Sequence, residues 1–337
     1  MKNITLSICI PTYNFGAFIA DTLDSIFIQD VKGVEVVILD GASTDNTHEV
    51  IERFQKGHPH LIYHRRDKKG GIDRDLATSV ELAHGKYCWL LSSDDVLQPG
   101  SIHRMLKEIE SEHDVYLCNR TECDLNLKPI KDRRWLSKAV GDTSFNLSDK
   151  TDLLRYFHLA MSVGALFSYI SSMAVCRQKW LQTKTPSALM TCHYAHVYKT
   201  FKMIEHHCKL RYIADSLVFC RGDNDSFLSE GRAHRCLIDL DGYQLLAGHL
   251  FSEDEVVQDA FLNVMRREYR WFNLLGISYR TKDDETWNTL KNSFKRYGYS
   301  SCILYGIRIF CSCSMLISIG YFFKRALRRS RIYFYKN

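Results

Sequence analysis

Asp94 and Asp95 stand side by side directly after the apolar run Trp89-Leu90-Leu91 and the pair Ser92-Ser93. Like charges a few ångströms apart repel, so such a pair calls for a cation, a proton or full solvation. Paired carboxylates hold Mg2+ or Mn2+ through oxygen ligands, and those ions keep part of their water shell and bridge substrate phosphates. A helix N-cap is the competing explanation, because Gln98-Pro99-Gly100 follow and acidic side chains favour helix starts. Asp40 closes a second apolar run, Val34–Leu39, where a carboxylate suits a ribose or a base amide, or else a turn.

These groups need a scaffold, and the first 120 residues supply its pattern. Leu6–Ile10, Val34–Leu39, Leu61–His64, Tyr87–Leu91 and Val115–Leu117 read as strands. Ala17–Ile28, Thr44–Phe54, Asp73–Ala83 and Ser101–Glu110 between them read as helices, the second opened by a Ser-Thr-Asp-Asn cluster suited to capping. The alternation predicts an α/β fold with a doubly wound, mostly parallel sheet, whose ligands bind beyond the carboxyl ends of the strands. Pro11-Thr12-Tyr13-Asn14, Asp40-Gly41-Ala42-Ser43, His64-Arg65-Arg66 and Ser92-Ser93-Asp94-Asp95 fall there, and Gly70-Gly71 adds a loop that backbone can approach closely. Later segments are less regular. Lys128–Trp135 and Val140–Asn146 read as loops, Asp149–Met161 and His193–Ile204 as helices, and Leu210–Phe219 as a strand. After Gly231 the pattern is helical. The domain reading is a catalytic domain over 1–225, split into halves 1–120 and 121–225, followed by a helical region over 226–337.

Composition excludes several classes. With 337 residues, 45% apolar and 25% charged, a sizeable core is expected. Twelve cysteines without a CxxC pair argue against a disulfide framework and a zinc site. The first residues lack the pattern of a secretory signal, so the reading is a cytosolic protein. Net charge is +6, yet ten Lys or Arg and no acid fall after Glu285, leaving 35 basic against 39 acidic groups elsewhere. A nucleic-acid role for the body therefore has no electrostatic support. Residues 299–323 are apolar or small apart from Arg308, and Lys324-Arg325-Ala326-Leu327-Arg328-Arg329-Ser330-Arg331 follow. That tail suits a helix lying in an anionic cytoplasmic membrane surface better than a span, which needs roughly 20 apolar residues.

As a set, Ile10-Pro11-Thr12-Tyr13-Asn14, Asp40-Gly41-Ala42-Ser43-Thr44-Asp45, Gly85-Lys86-Tyr87 and Ser93-Asp94-Asp95 resemble the nucleotide-sugar half of family-2 glycosyltransferases with the GT-A fold. Gly71-Ile72-Asp73-Arg74, Arg134-Trp135-Leu136, Phe167-Ser168-Tyr169-Ile170-Ser171-Ser172, Tyr194-Ala195-His196-Val197 and Arg221-Gly222-Asp223-Asn224-Asp225-Ser226-Phe227 are similar to the abequosyltransferases of bacterial O-antigen assembly. The resemblance implies transfer of a 3,6-dideoxyhexose from a CDP donor to a mannose on a polyprenyl-diphosphate-linked oligosaccharide, at the cytoplasmic face of the inner membrane. It implies that Pro11, Thr12, Tyr13 and Asp40 surround the nucleoside, and that Asp73, Arg74, Ser93 and Asp94 line the rest of the donor site. Asp95, with Asp94, would hold Mg2+ or Mn2+; Ser93 stands where many members carry a first Asp of this motif.

Arg221 would face the departing diphosphate. His196 stands where many members carry an acidic catalytic residue, and would serve as general base or third metal ligand. His193 is the second candidate, one helical turn earlier on the same face. Asp73 also suits a helix cap, and Asp223 and Asp225 a tight turn. Two other functions stay open: a family-2 enzyme with a UDP or other donor, and a non-catalytic membrane-surface scaffold. A sugar nucleotidyltransferase would need an N-terminal glycine-rich loop, and Ile10–Phe15 has none.

Overall fold

The computed structural model describes residues 4–30, 32–224 and 231–312. In chain order the elements are β1 (Leu6–Thr12), α1 (Ile19–Phe27), β2 (Val34–Asp40), α2 (Thr47–Gly57), β3 (Leu61–Arg65), α3 (Ile72–Leu82), β4 (Tyr87–Leu90), β5 (Val96–Leu97), α4 (Ser101–Ile109) and β6 (Val115–Cys123). There follow β7 (Pro129–Arg133), β8 (Thr143–Asn146), α5 (Lys150–Leu159), β9 (Met173–Cys176), α6 (Arg177–Gln182), α7 (Ala195–Lys202) and β10 (Lys209–Cys220). Helices α8 (Arg232–Phe251), α9 (Glu255–Glu268), α10 (Trp271–Arg280), α11 (Asp284–Arg296) and α12 (Ser301–Ser312) complete the series. Two compact units result, Met1–Asp225 with Gly242–Val264, and Ser226–Asp241 with Met265–Asn337.

One sheet runs β3-β2-β1-β4-β9-β6-β10-β5, with β7 beside β6 and β8 beside β10. β3, β2, β1 and β4 are mutually parallel, as are β6 and β10, while β9 is antiparallel to both β4 and β6. Every residue of β1 and β2 is buried, as expected of parallel strands covered on both faces. The core between this sheet and α1, α2 and α4 is built of Ile8, Ile10, Leu23, Ile38, Ile51, Trp89 and Met105, among others. Gly85 marks a place where only glycine fits, because a Cβ would lie 2.6 Å from Ser7 Oγ and 2.7 Å from Ser7 N.

Several sequence expectations change. β1 continues through Pro11 and Thr12, since these pair with Leu39 and Asp40, so both residues lie in the strand rather than past its end. The stretch read as a loop at Lys128–Trp135 contains β7, exposed throughout and therefore without an apolar signal. β9 falls largely within the apolar stretch Phe167–Val175, whose composition alone does not tell strand from helix. Asp149 does cap α5, accepting from Asp152 N. The helix predicted from His193 begins at Ala195 instead, because His193 has φ 65° and cannot continue a right-handed helix. His193 and His196 therefore do not share a helical face.

Candidate active site

The carboxyl ends of β1, β2, β3 and β4 gather most of the predicted residues. The register places Thr12 beside Asp40 and Asp40 beside Arg65, a row across three strands. Thr12 Oγ1 is buried without a hydrogen-bond partner. The following loops are laced together: Asn14 N donates to Ser43 Oγ at 2.9 Å and Thr44 N to Asn14 Oδ1 at 2.7 Å. Asn14 and Ala42 both hold left-handed backbone, φ 60° and 69°. Non-glycine residues in that region concentrate at functional sites. Lys69 Nζ lies 4.2 Å from the centre of the Tyr13 ring. A Cβ on Gly41 would meet Asp75 Oδ2 at 2.6 Å, so glycine lets Asp75 close under this loop, where Asp75 accepts from Arg66 Nε at 2.6 Å.

Asp40 is fully buried, and its oxygens are engaged: Oδ1 accepts from Ser43 N at 2.7 Å and Oδ2 from Tyr63 OH at 2.8 Å. These contacts let the carboxylate shape the loop after β2. Tyr63's phenol is pushed up by burial and then by its bond to Asp40.

Asp94 and Asp95 lie in the turn after β4 and are buried. Asp95 Oδ2 accepts from Ser171 Oγ at 2.5 Å and Tyr169 OH at 2.6 Å, and Oδ1 accepts from Arg221 N at 3.1 Å. Asp94 accepts from Ser92 Oγ and, at 2.9 Å, from Asn224 Nδ2. Burial, then Asp94's charge, pushes Asp95 up to about 7, against the pull of Ser171, Tyr169 and Arg120. Two abutting buried carboxylates, one held so far above its ordinary range, fit a divalent cation that would offset both the burial and the mutual repulsion. Among the described residues no group of three His, Cys, Asp or Glu could hold a metal. Ligands beyond the two carboxylates would come from donor phosphates and water. Ser93 is buried beside the pair.

The segment Phe167–Ser171 carries both ends of the site. Tyr169 and Ser171 brace Asp95, while the Phe167 carbonyl lies 3.0 Å from His196 Nε2. A carbonyl only accepts, so Nε2 carries the proton and Nδ1 the lone pair. Burial lowers His196 to about 4, which leaves the ring neutral at pH 7. Asp73 anchors the start of α7, accepting from His193 N at 2.9 Å and Ala195 N at 3.1 Å. Asp73 lies inside α3, whose N-cap is Gly71, so it braces the start of α7 rather than capping its own helix, and Arg74 beside it is exposed.

Arg221 is held closely by the protein. Its side chain is 4% exposed, and its nitrogens donate to Asp94 O at 3.0 Å, Leu125 O at 2.6 Å and Asp21 Oδ2 at 2.7 Å. The guanidinium also lies over the Phe18 ring at 4.9 Å. These contacts fasten the Asp94-Asp95 turn.

Sequence reasoning missed Arg120, whose guanidinium lies 4.3 Å from the Tyr169 ring centre and 5.0 Å from that of Trp135. It also gave Tyr169 and Ser171 no role, although their two-residue spacing was the available signal. Asp225, the residues 226–227 of its motif, and the basic tail after Ser312 lie outside the described residues.

A mixed, mostly parallel sheet with a carboxylate pair in the turn after its fourth strand is the GT-A arrangement of nucleotide-sugar transferases. Residues 7–183 match glycosyl transferase family 2, and the chain belongs to that family. It is 35% identical over 287 residues to the abequosyltransferase RfbV of Salmonella typhimurium, covering 83% of this chain and 86% of that one. Its fold is shared with the Staphylococcus aureus TarS fragment 1–349 in complex with UDP-GlcNAc, at 16% identity and a TM-score of 0.64, covering 87% and 80% of the two chains. It is also shared with the Pyrobaculum calidifontis mannosyltransferase PcManGT in complex with GDP-Man and Mn2+, at 14% identity and a TM-score of 0.50, covering 92% and 88%. The protein is an enzyme, a hexosyltransferase close to the abequosyltransferases, and the scaffold reading falls.

Proposed function

We propose that this enzyme transfers a 3,6-dideoxyhexose from a CDP-sugar to a mannose of a polyprenyl-diphosphate-linked O-antigen oligosaccharide. The observation that carries the reading is the 35% identity to an abequosyltransferase over 86% of its length. Asp94 and Asp95 would hold Mg2+ or Mn2+, which would supply charge stabilisation to the donor diphosphate. A cation bound there neutralises charge that develops on the departing diphosphate. Tyr169, Ser171 and Arg221 keep the Asp95 carboxylate aimed at that position. His196 offers an unprotonated Nδ1 to the acceptor hydroxyl, its ring oriented by Phe167 O and its helix anchored by Asp73. An inverting reaction uses this nitrogen as base; in a retaining one it orients the hydroxyl.

The enzyme works at the cytoplasmic face of the inner membrane as a peripheral protein. Supporting this are the acid-free basic tail and the exposed Trp271, Phe272, Ile303 and Tyr305 of α10 and α12. Among the described residues no helix is long and apolar enough to cross a membrane. A screen of CDP-, UDP-, GDP- and dTDP-sugars against a lipid-linked mannosyl acceptor tests the proposal, with the product anomer read by NMR. Transfer from CDP-sugars alone is expected; transfer from UDP- or GDP-sugars with none from CDP-sugars overturns the donor assignment.

A further inference from the structure

Resting on the CDP-donor reading, we propose that Arg65 is the residue that selects cytosine over uracil, and that Tyr63 keeps Asp40 out of that contact. Thr12, Asp40 and Arg65 stand abreast on β1, β2 and β3, so their side chains leave the sheet on one face. With neighbouring strands about 4.8 Å apart, the row spans about 10 Å, enough for one pyrimidine and its flanking hydrogen bonds.

The middle position already faces protein donors. Asp40 is 0% exposed, with one oxygen on Ser43 N, the other on Tyr63 OH and the Arg65 Nε 3.8 Å away. What the row offers outward is therefore a donor. Arg65 is 43% exposed, and its Nη2 donates to Ser43 O at 2.7 Å, which fixes the plane of the fork. The next residue, Arg66, is unsuitable, because Nε and Nη2 are tied to Asp75 and Thr78 Oγ1. At the other end of the row Thr12 Oγ1 is buried and unpartnered, a polar atom waiting for a ligand group.

Cytosine carries two neighbouring acceptors, N3 and O2. A guanidinium can donate to both at once. Uracil places an N3–H between two carbonyls, so the same guanidinium meets donor with donor and leaves a polar group unpaired. A free carboxylate in the row would reverse the choice by accepting from N3–H of uracil. Tyr63, by engaging Asp40 Oδ2, keeps the reading edge basic.

The test is titration calorimetry of CDP and UDP, each with Mg2+, on the full chain and on Arg65→Ala, Arg65→Lys and Tyr63→Phe. Wild type is expected to bind CDP at least about tenfold more tightly than UDP, the scale of one bidentate contact. Arg65→Ala should lose that preference through weaker CDP binding, with UDP unchanged. Arg65→Lys keeps the charge without the fork and should not restore it. Tyr63→Phe should raise UDP affinity relative to CDP. If wild type prefers CDP and Arg65→Ala keeps the same ratio, even with both affinities reduced, the inference is wrong and the donor reading stands. If wild type prefers UDP, or neither, the donor reading itself fails.

Discussion

Arg221→Met separates a fastening role for Arg221 from a catalytic one. The substitution keeps the length of an unbranched chain but deletes donors to two backbone carbonyls, the buried Asp94 O and the part-buried Leu125 O, and to the Asp21 carboxylate. Each carbonyl left unsatisfied costs about 1–3 kcal/mol. The Asp21 pair adds little, because Asp21 is 53% exposed and returns to water. The expected loss is therefore about 2–5 kcal/mol in urea denaturation of the full chain. Because the same contacts hold the Asp94-Asp95 turn, Mn2+ affinity should fall alongside stability. Stability unchanged within about 0.5 kcal/mol, the range of a neutral surface change, together with a large fall in kcat would refute the reasoning. It would mean that the guanidinium faces the reacting phosphates.

Three further outcomes follow from individual contacts. Burial holds His196 near 4 when folded against 6.5 in its ordinary state, so between those values the unfolded chain binds the extra proton. Stability should then fall as pH drops through that window, by up to about 3 kcal/mol, and His196→Gln should flatten that slope in denaturation curves at pH 4.5 and 7. Asp73→Ala removes the acceptor for His193 N and Ala195 N at the start of α7 and should cost about 1–2 kcal/mol. Steady-state kinetics should show its kcat falling more than its donor KM rises; the reverse pattern would place Asp73 on the donor. Gly85→Ala should destabilise by about 1–3 kcal/mol or more in thermal melts, because its Cβ would meet Ser7 backbone and Oγ; an unchanged Tm would contradict the packing there.

The nucleotide half of the fold was legible because its strands are continuous apolar runs and its helices are amphipathic, so burial on both faces leaves a readable period. β7 escaped notice because all five of its residues are exposed, so it carries no apolar period, and its side chains meet β6 through polar contacts such as Thr121 Oγ1 to Asp132 and Arg133 to Glu122. β5 is a two-residue strand whose partner, β10, lies over a hundred residues away. In the site, the carboxylates could be named from their place after apolar runs, but not their partners. Tyr169 and Ser171 reach Asp95 across 74 and 76 residues, and Arg221 reaches Asp21 across 200. Nor could the sequence name the contacts of Arg221 with Leu125 and Asp94, or that of Asp40 with Tyr63, which tertiary structure alone brings together.

The most direct measurement is CDP affinity by calorimetry in Mg2+ and in EDTA, for wild type and Asp95→Asn. If the buried pair seats a cation against the donor diphosphate, chelation and the substitution should each weaken CDP binding by tenfold or more, and together no further. Equal affinity in all four conditions would contradict the assignment of Asp94 and Asp95 to the metal.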